Sequence, residues 1–209
     1  MKKVFFTSLL MAGILSVASC NGEAKPDETK ASANQDATEI VLNNIMTRTS
    51  IRQFTDQQIG KDTLENIVKA GMAAPSAMNK QPWAFVVVTE KEVLDSLNVV
   101  KPWFNLKTAT AAIIVCGDLS KAIEGEGAEY WVQDCSAVTE NILLATHAYG
   151  LGAVWCGVYP VAETVKGVSN VLGLPENIIP LDVITMGYPA ESPEPKDKFN
   201  AENIHFQKW

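Results

Sequence analysis

Two arginines, two histidines and four cysteines are all that 209 residues offer of the side chains that fork onto anions, shuttle protons near neutrality or hold metals. Fifteen lysines bring the basic total to 17 against 24 acids, and the formal net charge of −7 excludes a general basic surface. Nucleic acid is therefore a poor partner, and any anion must be held locally. Beyond Cys20, the cysteines at 116, 135 and 156 are odd in number, which does not make a disulfide framework, and none has CxxC or CxxH spacing for structural zinc. His147, in an apolar helical run, and His205, near the C-terminus, are too isolated for a metal cluster and are expected to be packed or on the surface. Neither a GxGxxG turn opening a helix nor a GxxxxGK[ST] loop occurs. What is present, 47% apolar and 8% aromatic residues, suits one folded domain, at most two, with a sizeable core.

The N-terminus is organised differently from the rest. Lys2 and Lys3 precede an apolar run over 4–18, which closes on Val17-Ala18-Ser19-Cys20. That pattern predicts an export signal over 1–19, too short for a spanning helix, with Cys20 resembling the acylated cysteine of a bacterial lipoprotein. The alternative is a buried N-terminal helix with an incidental cysteine. Residues 21–36 lack apolar periodicity, so 20–36 is expected to be a flexible tether and 37–209 the folded domain. Cleavage removes two lysines, leaving 15 basic groups against 24 acids and about −9. Attachment to a membrane of the bacterial cell envelope, on its periplasmic or surface side, would then rest on the lipid at Cys20.

Helix and strand patterns alternate in the domain. Ile40, Val41 and Ile45 predict a helix up to Arg48; Asp62 and Glu65 form a capping-box-like start for a helix that puts Leu64, Ile67, Val68 and Met72 on one face. Strands are predicted over 84–89, 111–117, 152–158 and 181–188, all apolar on both faces, so the sheet should be covered on both sides. The run 134–149 predicts a helix apolar nearly all round, hence buried in the core or at a subunit interface. A further helix over 161–172 should stop at Gly173 and Pro175. After Pro189 a proline-rich tail runs to Trp209 and must pack somewhere, plausibly on a partner subunit.

Three segments carry candidate chemistry. Both arginines fall in Arg48-Thr49-Ser50-Ile51-Arg52, where two guanidiniums straddling a hydroxyl suit a phosphate monoester or an electron-rich ring edge, or else are solvated surface charges. The loop Pro75-Ser76-Ala77-Met78-Asn79-Lys80-Gln81-Pro82-Trp83 has a proline-fixed backbone and side chains that both donate and accept, which suits a heterocycle edge or equally a rigid polar turn. Gly150-Leu151-Gly152-Ala153-Val154-Trp155-Cys156-Gly157 enters a strand, and Gly157 marks either a close ligand approach or a bulge. Lys196 and Lys198 in the tail are, alone, solvated charges.

In this order the segments resemble the nitroreductase family of FMN-dependent oxidoreductases. Its Arg-x-Ser-x-Arg/Lys-x-Phe motif is matched by Arg48 to Phe54 and its Pro-Ser-x-x-Asn-x-Gln-Pro-Trp loop by Pro75 to Trp83, with Gly187-Tyr188-Pro189 in support. The resemblance spans about 40–209 and implies an α+β fold, a mixed central sheet flanked by helices, in an intertwined homodimer with active sites at the interface and the tail embracing the other subunit. It implies that Arg48 and Ser50, with Lys196 or Lys198, bind the FMN phosphate. Arg52 would sit by the N1/C2-carbonyl edge, stabilising the negative charge that develops there. Pro75, Ser76, Asn79 and Gln81 would line the flavin from the second subunit. Trp155 would join the contacts, with backbone groups of Cys156 and Gly157 near N5 and the Cys156 sulfur dispensable. The implied activity is ping-pong hydride transfer from NAD(P)H, or another donor, to a nitroaromatic, quinone or similar acceptor, with no acid–base pair demanded of the protein. Two alternatives stay open: a different flavin task on the same fold, such as reductive dehalogenation or flavin modification, and a non-catalytic lipoprotein binding a small molecule or partner. The segment 91–108, where such enzymes carry a substrate lid, is short.

Overall fold

The computed structural model of the chain describes residues 28–209. The export signal, Cys20 and the first part of the tether lie outside them. The chain divides into two units, 1–38 and 39–209. Helix α1 (Glu28–Thr47) begins in the first, within the segment expected as a tether, and ends in the second, one residue before Arg48.

The second unit is built on four strands, β1 (Trp83–Val88), β2 (Ala111–Asp118), β3 (Gly152–Gly157) and β4 (Ile178–Gly187), in the order β1-β2-β4-β3. All three pairings are antiparallel. Among the described residues the mixed character expected of the sheet is confined to one parallel bridge, Ser50 to Ala153, on the outer edge of β3. The β-branched central strands β2 and β4 are buried on both faces, as uninterrupted apolar runs require.

On one face, α2 (Lys61–Gly71) and α4 (Tyr130–Ala148) bring Leu64, Ile67, Val138 and Ile142 onto Ile113, Ile184 and Met186. On the other, α3 (Lys91–Val100) and α5 (Ala162–Leu172) bring Leu94, Leu97 and Val168 onto Ala112, Ile114 and Val183. Each large side chain fully buried in this way contributes about 1.5–3 kcal/mol. Gly173, at φ 64°, ends α5, where a side chain would clash in the left-handed conformation.

One expectation needs correcting. The capping box at Asp62 and Glu65 does not form: α2 starts at Lys61 with Gly60 as its N-cap, and Glu65 pairs with Lys61 at 3.5 Å. That start leaves Asp62 inside the first turn, where its charge favours the helix dipole. The short segment 91–108 is built into the core. It folds as α3 and a short 3-10 turn whose Phe104, with Leu106, is fully buried in the core.

Candidate functional site

The segment 48–54 is sewn onto the end of the sheet where β3 begins and β4 finishes. Ile51 N–H donates to the Ala153 carbonyl at 3.0 Å, Thr55 N–H to that of Tyr188 at 2.9 Å, and Ala190 N–H to that of Gln53 at 2.9 Å. Glycines make room for it. A Cβ on Gly152 would lie 2.7 Å from Ile51, and one on Gly187 would lie 2.9 Å from Phe54. A Glu191 carboxylate oxygen accepts from both Arg52 N–H, at 2.5 Å, and Gln53 N–H, at 3.1 Å, locking the start of the tail to the same segment.

With α1 ended at Thr47, the two guanidiniums diverge. Arg48, its side chain 17% exposed, turns to α4, where Nε is 3.8 Å from Glu140. Arg52 turns the other way, with Nη1 3.4 Å from the Ser50 carbonyl. Beside Arg48 lies a cavity of about 280 Å³, walled by Ile51, His147, Glu191 and the tail prolines Pro193 and Pro195. Lys196 and Lys198 follow those prolines in an exposed, extended stretch.

His147 is a wall of this cavity that the sequence reading left as a packed or surface residue. Its Nε2 is 3.0 Å from the Thr47 hydroxyl, which also lies 2.7 Å from the Asn43 carbonyl. The hydroxyl has one proton: given to that carbonyl, it leaves neutral His147 to donate from Nε2, and given to His147 it makes Nε2 the acceptor. Burial, then the Arg48 charge, pushes its pKa down. The signal was available: Glu140, Leu143 and His147 repeat at three and four residues and share one helix face, and Glu140 is the partner of Arg48.

The 74–83 loop lies elsewhere, at the opposite end of the sheet and against the opposite edge strand, β1. Asp134 on α4 accepts from Ala77 N–H at 2.8 Å; Ser76 Oγ accepts from Gln81 N–H at 2.9 Å; Gln81 Nε2 donates to Asn79 Oδ1 at 3.0 Å. Met78, Asn79 and Gln81 all have positive φ, between 50° and 53°. Asp134 and His147, which serve the two clusters, are thirteen residues apart, about 20 Å of helix. One chain does not bring Arg48 and Arg52 together with Ser76, Asn79 and Gln81.

Along β3, Trp155 is 38% exposed while Cys156 turns inward, its sulfur 3.5 Å from the Trp103 carbonyl. Burial raises the Cys156 thiol, with smaller opposing effects from Asn105, Thr185 and the Arg52 charge. Only its backbone faces the edge. Nothing lies within 4 Å of where a Gly157 Cβ would be, so that end of the strand is open. The described cysteines are all free and buried, and no group of His, Cys, Asp or Glu among the described residues could hold a metal.

A family model described as the nitroreductase family matches residues 45–101 and 99–188. A protein of Methanothermobacter thermautotrophicus, provisionally named NADH dehydrogenase/NAD(P)H nitroreductase, is 45% identical over 171 residues, 81% of this chain and 87% of its own. A crystal structure of a Bacteroides thetaiotaomicron protein with the same provisional name is 41% identical, with a TM-score of 0.76 over 81% of this chain and 98% of that one. An FMN-dependent nitroreductase of Clostridium difficile is 28% identical, with a TM-score of 0.73 over 80% of this chain and 99% of that one.

Proposed function

This chain belongs to the nitroreductase family and is an FMN-dependent NAD(P)H oxidoreductase; from that premise we propose that it works as a homodimer passing electrons to a nitroaromatic, quinone or similar small acceptor. The observation that carries the reading is the cavity of about 280 Å³ between the half-buried Arg48 and the tail, lined by Arg48, His147 and the tail prolines Pro193 and Pro195, with Lys196 and Lys198 next in the chain.

The residues fit the cofactor. Arg48 and Ser50 hold the phosphate, with Lys196 or Lys198 closing over it from the tail. The flavin ring, once bound, supplies the chemistry by accepting hydride at N5. Arg52 would hold a positive charge by the N1 edge of the bound ring. Trp155 borders the ring, and the backbone of Cys156 and Gly157 comes close to N5 because Gly157 leaves that side open. The donor leaves before the acceptor enters, so kinetics are ping-pong.

The dimer is supported by what one chain leaves uncovered. Ile40, Val41, Leu42, Ile45 and Met46 on α1 are exposed, as are Phe199, Ile204 and Phe206 on the tail, and Trp209 is 99% exposed. A second copy would cover them and bring its own Pro75, Ser76, Asn79 and Gln81 to the ring.

Purified protein should be yellow, with flavin absorbance that bleaches on NADPH addition; colourless protein that cannot be reconstituted with FMN would support the non-catalytic alternative. An acceptor screen that includes halogenated phenols separates nitroreduction from dehalogenation. Arg52→Ala should keep FMN but slow its reduction in stopped flow, and equal rates would sink that role. The protein is also proposed to be exported and acylated at Cys20, as the lysine pair, apolar run and small-residue closure support. Fatty-acid labelling lost in Cys20→Ala is the expected result, and unchanged labelling refutes it.

A further inference from the structure

Asp182, in the middle of β4, is fully buried. Its Oδ2 lies 2.8 Å from the Thr139 hydroxyl on α4, while its Oδ1 has no hydrogen-bond partner. The Thr139 hydroxyl also lies 2.9 Å from the Cys135 carbonyl. With its single proton given to that carbonyl, Thr139 can only accept from Asp182, which must then be a neutral acid; with the carboxylate ionised, the hydroxyl turns to it instead. The pair therefore has two hydrogen-bonded states that differ by one proton.

The surroundings set where that proton is lost. A charged carboxylate with a bare oxygen in an apolar core is costly, and burial pushes Asp182 up to about 8, opposed only by the Thr139 hydrogen bond. The titratable groups its charge reaches are Cys135 on α4, on its own face of the sheet, and Cys116 of β2 and Cys156 of β3, which pack on the other face, with Asp134 of α4 acting on Cys135. Burial first, and Asp182 itself in part, holds all three thiols up, Cys116 to about 12.

Its place in the sheet gives that proton a use. Asp182 is the register partner of Gly157 across the β3–β4 ladder. Directly opposed residues of an antiparallel pair point to the same face. The Asp182 carboxyl points to α4, so the side of Gly157 that lacks a side chain and stands open is this same face. The acid sits one strand in from the edge given to N5.

We propose that Asp182 is a positioning acid for the redox step: its ionisation sets a negative field at the flavin's reactive edge and makes the bound cofactor harder to reduce, while reduction draws one proton from solvent onto its carboxylate. The two electrons come from NAD(P)H as hydride, and the proton on Asp182 is additional to it. This rests on the FMN reading above.

The test is the midpoint potential of bound FMN measured on both sides of pH 8 in the parent and in Asp182→Asn. The parent plot should fall more steeply through that region than on either side, and the variant should lack the steep segment and lie above the parent at the alkaline end. Identical plots overturn the proposal. A second measurement needs no variant: protons taken up per FMN reduced, followed with an indicator dye in the parent, should pass through a maximum in the same region, and a flat profile overturns it. Parent protein that binds no FMN overturns the flavin reading itself and this inference with it.

Discussion

The 48–54 segment and the 74–83 loop carry most of the cofactor contacts proposed above, and they are built in opposite ways. The first is held by main-chain hydrogen bonds to β3 and to the turn after β4, with Gly152 and Gly187 beneath it. Its backbone position follows from the sheet. The second is held by side chains: Asp134 from α4, Ser76 and Asn79 from within, around three residues in the left-handed region. Side-chain anchors bend a loop into a strained shape that a ladder would not allow, and such strain gathers at sites that must present groups to a ligand. In the proposed dimer the contrast gives each a direction: a segment fused to the edge of one sheet would serve its own subunit, and a loop at the far end would serve the other.

The largest effect that would break this comparison comes from mixing subunits. Arg48→Ala and Gln81→Ala homodimers should each bind FMN poorly, yet unfolding and refolding them together should restore roughly a quarter of the sites, because each mixed dimer holds one site with both residues intact. No recovery would mean that both motifs serve the same chain.

Next in size is Gly152→Val. Ile51 has no room to retreat from a branched side chain, so stability should fall by about 3 kcal/mol in denaturant unfolding, with FMN lost as well. A variant as stable as the parent would show that the 48–54 segment is not sewn down as described. Asp134→Ala should cost somewhat less, about 2 kcal/mol, because Ala77 N–H loses a charged acceptor. Asp134→Asn, which keeps an acceptor, should recover most of it; equal losses in the two variants would deny the hydrogen bond its role.

The smallest expected change has the opposite sign. Met78 is 79% exposed and has φ 52°. Met78→Gly should be neutral or stabilising by about 0.5 kcal/mol, since glycine occupies that region without strain. A clear drop in Tm would mean that the Met78 side chain holds the loop.

Much of this was legible in residue order. The four strands lie within a few residues of their predicted spans because β-branched runs bounded by turn residues have few other uses, and Gly173 stops α5 as expected. Helix α3 was less legible, since the short run with Leu94 and Leu97 is followed at once by Pro102 and is held by core contacts rather than by caps. Asp62 and Glu65 mislead for a related reason: a capping pattern is local, and the helix start was fixed two residues earlier, with Gly60 as N-cap in place of Asp62. At the site, the two arginines and the polar loop stand out because their residue types are rare or clustered. His147 and Asp182 do not, because each sits in an apolar run and gains meaning only from what lies across from it.

By itself, then, the sequence determined where the four strands and most of the helices lie, that the sheet is covered on both faces, and which planar and amide groups are available to an anion and a ring. Those are properties of periodicity and of side-chain chemistry, and they travel with the chain. Only the tertiary structure decided that the two arginines diverge, that the polar loop stands at the far end of the sheet from them, and that a buried acid pairs with the open glycine. Each of these depends on register and strand order, which long-range packing selects and no local window of residues contains.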